Sequence, residues 1–269
     1  MNREPIVAGQ FYPGSAAQLR SMVEEFLSGG RSQAESRSLL AMVPHAGYVF
    51  SGGAAGQTFQ RANLPRTLIL LGPNHTGQGK PFAVWPDGAW RFPGAELEVD
   101  AQLARAVLEG CPDMSADTAA HRMEHSLEVV LPFLHALDPE TRIVPVCVSG
   151  RTLGSIKKVG QDVARVVEQW PEPVSLVVSS DMSHYVTHEQ AKERDTRAIQ
   201  AMLDLDPDGL YEVVRSQNIT MCGVLPMTLG LTAVVELGAE TAELVSYTTS
   251  AEASGDYSQV VGYAGVVVS

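Results

Sequence analysis

VSLVVSSDMSHY, residues 174–185, is the stretch from which the fold is read. An apolar run of strand length breaks into a polar loop with a carboxylate and an imidazole three residues apart, Asp181 and His184. A run apolar at successive positions, not alternate ones, suits a strand buried on both faces. Two other runs break the same way: 39–43 into Pro44-His45-Ala46-Gly47-Tyr48, and 67–71 into Gly72-Pro73-Asn74-His75. Further strands are predicted at 143–148, 244–248 and 262–268. Helical patterns at 16–27, 53–61, 100–109, 126–137, 154–169, 188–203, 207–216 and 226–237 alternate with them. The fold class predicted is α/β: a single-domain sandwich over 1–269 with a mainly parallel central sheet. The Gly-, Pro- and Trp-rich stretch 77–99 reads as a hairpin or excursion leaving that sheet.

Composition narrows the function classes. With 45% apolar and 19% charged residues, the 269-residue chain can bury a large core. A net charge of −12 argues against a nucleic-acid partner, whose binding face would be basic. No apolar run reaches the roughly 18–20 residues a membrane helix needs, and no signal-like segment opens the chain. Three cysteines without a CxxC pair make a disulfide framework improbable, so a cytoplasmic, reducing location is expected.

In open α/β sheets ligands collect beyond the carboxyl ends of parallel strands. His45 and His75 are separated by about one βαβ unit, so His45, His75, Asp181 and His184 are expected to face one crevice. Cys222 precedes the apolar helix marked by Pro226, and a helix N-terminus favours a thiolate. A thiolate with two imidazoles is a metal site suited to zinc, iron or copper. Each residue also has a plain reading: a loop histidine is often only hydrogen-bonded, and a cysteine before an apolar helix is often only buried. His125 and Glu128 share the face of a predicted helix's first turn and could support the crevice from outside. His188 reads as a surface helix start, and His121, His135, Cys111 and Cys147 as structural. There is no GxSxG nucleophile elbow and no P-loop.

REPIVAGQFYPG, VPHAGYVFSGGAA, LGPNHTG, EHSLEVVLPFL, VSSDMSHY and the Met-Cys-Gly segment occur in the order found in the Memo family, whose prokaryotic members are called AmmeMemoRadiSam system protein B. The chain resembles that family over nearly its whole length. The resemblance implies a fold similar to the class III extradiol ring-cleaving dioxygenases, with metal ligands at His45, His75 and Cys222. Asp181 and His184 would lie beside the metal, His184 in the place of an acid–base histidine. Fe(II) or Cu(I) is the metal favoured, with zinc an alternative, because a thiolate in place of a carboxylate softens the site. Redox or oxygen-dependent chemistry is the expectation. A non-catalytic peptide- or protein-binding module and a zinc-dependent hydrolase are the alternatives. The resemblance also implies a radical-SAM protein and an AMMECR-type protein as partners, and a peptide ligand. Cys-Gly-Val-Leu-Pro and Asn-His-Thr depart from the animal pattern, removing an Arg and a His on which an anionic-peptide pocket would rely.

Overall fold

The computed structural model describes residues 1–29, 33–150 and 152–269. Five strands lie side by side and parallel in the order Ala95–Val99, Arg142–Val148, Thr67–Pro73, Val174–Ser179, Leu40–Val43. Val260–Val268 continues the sheet antiparallel to Leu40–Val43, and Ala242–Thr249 and the short His184–Val186 both pair with it. The predicted α/β class and mainly parallel centre are thus observed. Side chains alternate across the central strands: Leu68 and Leu70 enter one core, Ile69 and Leu71 the other. Helices Ala16–Ser28, Tyr48–Arg61 and Leu131–Leu137 cover the first face, and Leu153–Gln169, Pro207–Ser216 and Val224–Glu236 the second. Coverage on both faces is why these strands carry unbroken apolar runs.

Three expectations about elements need correction. Stretch 77–99 does form a hairpin, Ala89–Phe92 against Ala95–Val99, but it does not leave the sheet. Its second strand adds parallel to Arg142–Val148 and extends the sheet. The helix expected at 53–61 begins earlier, at Tyr48, so Ser51 and Gly52 also lie inside it. The helix expected at 126–137 begins at Leu131, because Pro132, which lacks an amide proton and so belongs in a first turn, marks the start. Residues 126–130 are a turn.

Register brings the polar strand ends level. Val43 lies opposite Ser179, and Leu71 opposite both Val178 and Val146. His45, His75 and Asp181 each follow their strand's last residue by two positions.

Candidate metal centre

His45 is almost fully buried, and its backbone N–H donates to Asp181 Oδ1 (2.8 Å). Its Nδ1 lies 2.7 Å from Ser179 Oγ, whose own proton goes to the Ser126 carbonyl at 2.7 Å. With the hydroxyl proton committed, Ser179 can only accept from the ring, so Nδ1 carries the proton and Nε2 keeps its lone pair. His75 is held by a different device to similar effect. Glu124, buried, accepts from the His75 backbone N–H (2.5 Å) and sits 2.9 Å from its Nδ1. It also accepts from the Ser126 amide at 2.9 Å. A carboxylate only accepts, so the His75 Nδ1 is protonated and the ring is held from that side. Burial alone would raise Glu124, but the His75 hydrogen bond and charge, with the two amides, bring it down to about 2. For His75 burial pulls downward, and the Glu124 hydrogen bond and charge more than offset it, leaving the imidazole raised.

His125 completes a cluster. Its ring stacks on His75 with centroids 5.0 Å apart and meets His45 edge-on at 5.6 Å, while Phe11 closes the outer side at 4.8 Å. One nitrogen from each of His45, His75 and His125 falls within 4.8 Å of the others, an arrangement of three donors that a metal ion could occupy. Burial, followed by repulsion from neighbouring imidazoles, lowers His45 strongly; burial also lowers His125. Both are therefore neutral donors near pH 7.

Cys222 stands beside this cluster. Its Sγ is 3.3 Å from His45 Nε2 and accepts from the Asp181 amide at 3.2 Å. The expectation that the following helix favours a thiolate is corrected: burial and the Asp181 carboxylate push the Cys222 thiol well up. The helix, which starts at Val224, does not offset the loss of water. Asp181 itself is raised, chiefly by burial.

His184 lies outside the three-nitrogen cluster but within electrostatic reach of His45 and Asp181. Thr220 sets its orientation: the carbonyl lies 2.8 Å from His184 Nδ1, and the hydroxyl accepts from the backbone amide at 2.6 Å. Asp181 is turned to His45 instead. Behind the loop, buried Asp195 accepts from the Ser183 amide (3.0 Å) and the Tyr247 hydroxyl (2.9 Å). Tyr185 takes the left-handed conformation (φ +58°) within a register shift of the His184–Val186 strand, and its side chain is largely in solvent. A bulge of this kind re-aims the residues beside it.

His125 and Glu128 do not share a helix face. His125 enters the cluster rather than supporting it from outside, and Glu128 points the other way. Glu128 binds Arg3 (2.7 Å), the Tyr12 hydroxyl (2.6 Å) and the amides of Ile6 and Val7, all inside the protein. Arg3 in turn donates to the carbonyls of His121 and Glu124. Glu128 thus pins the N-terminal segment to the loop that carries Glu124 and His125. Sequence reasoning missed Glu124 and Ser179, the two groups that orient the imidazoles. Pro132 was the available signal, since a later helix start frees residues 124–130 to form a turn.

Comparison with known proteins places these features in a group. A family profile described as Memo-like protein matches residues 3–267. A MEMO1 family protein of Methanopyrus kandleri is 40% identical over 279 residues, covering 99% of each chain. Those of Aquifex aeolicus and Methanosarcina barkeri are also 40% identical, covering 98% and 99% of each chain respectively. Among solved structures, an uncharacterized protein of Escherichia coli K12 superimposes with a TM-score of 0.54 at 14% identity, covering 84% of this chain and 99% of that one. At that identity the likeness is one of fold.

Proposed function

Starting from the chain's membership of the Memo-like family, we propose that it is a metal-binding protein of dioxygenase-like architecture whose chemistry is redox or oxygen-dependent. The observation that carries this reading is the cluster of His45, His75 and His125, with the rings of the first two held through Nδ1 by Ser179 and Glu124. Three imidazoles with an adjacent thiol suit iron, copper or zinc and not magnesium. Fe(II) or Cu(I) is the metal we favour, and either would supply the electron exchange with oxygen that no side chain here provides.

The protein's own groups have defined tasks in this reading. Ser179 and Glu124 fix the imidazoles so that no reorganisation is needed on binding. Cys222 is the fourth donor and gives up its proton when it ligates. His184, held by Thr220, moves a proton to or from a ligand beside the cluster. Asp181 holds His45 through its backbone. A second reading, zinc-dependent hydrolysis, draws on the same observation, because three histidines are a donor set that leaves a position for water.

Anaerobic loading with Fe(II), Cu(I) or Zn(II), one at a time, tests the proposal in the wild type and in Cys222→Ala and His125→Ala. Binding tighter than about micromolar, weakened at least tenfold by His125→Ala, is expected. Failure of all three ions to bind removes the metal reading. Oxygen uptake by the iron- or copper-loaded protein tests the redox part. Uptake confined to neither, with ester hydrolysis by the zinc form, selects the hydrolase, and silence in both leaves a binding module.

A further inference from the structure

The helix Ala16–Ser28, the hairpin turn 92–95 and the helix Leu131–Leu137 border an open pocket of about 490 Å³. None of its walls belongs to the cluster or to the His184 loop. The volume lies in the range of small-molecule sites, about 300–1,000 Å³, which are mostly apolar with a few polar groups. Leu19, Val23 and Leu27 form one wall along a helix face, and Phe92 another. The walls are set in advance. Gly94 has φ +89°, and a Cβ placed on it would lie 2.6 Å from the Ala16 methyl, so the turn rests directly on the start of the helix. Phe92 is fixed in turn by an edge contact with the His135 ring at 5.5 Å.

The polar groups at this cavity are Arg20, Glu24, Ser28 and His135. Arg20 lies near enough to His135 for its charge to act on the imidazole, adding to the effect of burial. Arg20 makes no ion pair among the described residues, not even with Glu24 one turn along its own helix. An uncommitted guanidinium beside an imidazole, at the edge of an apolar hollow, matches an amphipathic anion. A guanidinium recognises a carboxylate through two parallel hydrogen bonds.

We propose that this cavity is a second ligand site, independent of the metal cluster, for a medium-chain monocarboxylate. Its carboxylate rests on Arg20 and His135, and its chain lies among Leu19, Val23, Leu27 and Phe92. Glu24 works against the anion, so neutralising it strengthens binding.

Titration calorimetry of the full chain with decanoate, and with decanol as the uncharged control, tests this directly. Decanoate is expected to bind more tightly than decanol. Arg20→Ala should weaken decanoate about tenfold or more while leaving decanol unchanged, and Glu24→Gln should tighten decanoate. Ala136→Trp, which fills the cavity from an exposed helix position, should abolish both. Equal affinities for the two compounds would overturn the carboxylate assignment. Absence of binding by either, or decanoate binding that survives Ala136→Trp, would overturn the site itself. All three substitutions are at exposed positions, and a thermal midpoint near that of wild type confirms that each variant is folded.

Discussion

At the scale of single residues, the site depends on which ring nitrogen carries the proton. Ser179→Ala removes the acceptor for His45 Nδ1–H, and Glu124→Gln replaces an acceptor-only group beside His75 with one that can also donate. Each is expected to reduce metal affinity by roughly 10- to 100-fold while the fold persists, as measured by competition with a chelator. Glu124 also predicts an acid response. Its carboxyl is lowered to about 2 in the folded protein from an ordinary value of 4.5. Its contribution is therefore complete above pH 4.5 and is lost as pH falls towards 2. Urea denaturation at pH 5, 4 and 3 should show a slope that Glu124→Gln flattens. His45, His75, Asp181 and Cys222 were legible in the sequence because each ends or begins a regular element, where periodicity is plain. Glu124 and Ser179 were not. What they do depends on contacts between residues 49 and 53 apart, which no local pattern records.

At the scale of elements, the helix Tyr48–Arg61 shows why its start was misread. Gly52, Gly53 and Gly56 look like interruptions, yet two of them are spacers. A Cβ on Gly56 would lie 2.6 Å from the Phe26 carbonyl oxygen, and one on Gly52 would strike the Phe26 ring. These glycines let the helix Ala16–Ser28 lie close against it. Gly53 faces open space. Gly56→Ala should therefore destabilise by about 1–3 kcal/mol through forced separation of the helices. Gly53→Ala should stabilise by about 0.5–1 kcal/mol by restricting the unfolded chain. Thermal or urea midpoints of opposite sign for two identical substitutions three residues apart would confirm the distinction.

For the whole molecule, four of the five parallel strands were readable from unbroken apolar runs, being covered on both faces. The fifth, Ala95–Val99, was read only as part of a hairpin leaving the sheet, because its residues AELEV alternate as in a half-exposed strand and do not form a buried central run. Global stability has a second acid-sensitive element behind the loop that carries Glu124. His121 is fully buried against Trp85 and Trp90, its Nε2 donating to the Ala83 carbonyl at 2.9 Å. Burial is the main cause that lowers its imidazole to about 4 from 6.5. Below pH 6.5 the unfolded chain takes up this proton more readily, so stability falls as pH drops from 6.5 to 4, by about 3 kcal/mol in all. Replacing the ring by an uncharged group, as in His121→Gln, should remove that slope while lowering stability at every pH. Denaturation series at pH 7.5 and pH 4.5 compare the two directly.

The backbone at Tyr185 carries a further implication. A bulky residue in the left-handed region is strained, by about 1–2 kcal/mol, yet here it bears an aromatic ring turned to solvent, where packing returns little. Glycine would relax the chain at that point, and Tyr185→Gly is expected to melt higher than wild type. The ring lies 5.9 Å from that of His184, so metal affinity and turnover measured on the same Tyr185→Gly variant show whether the strain is kept for the site.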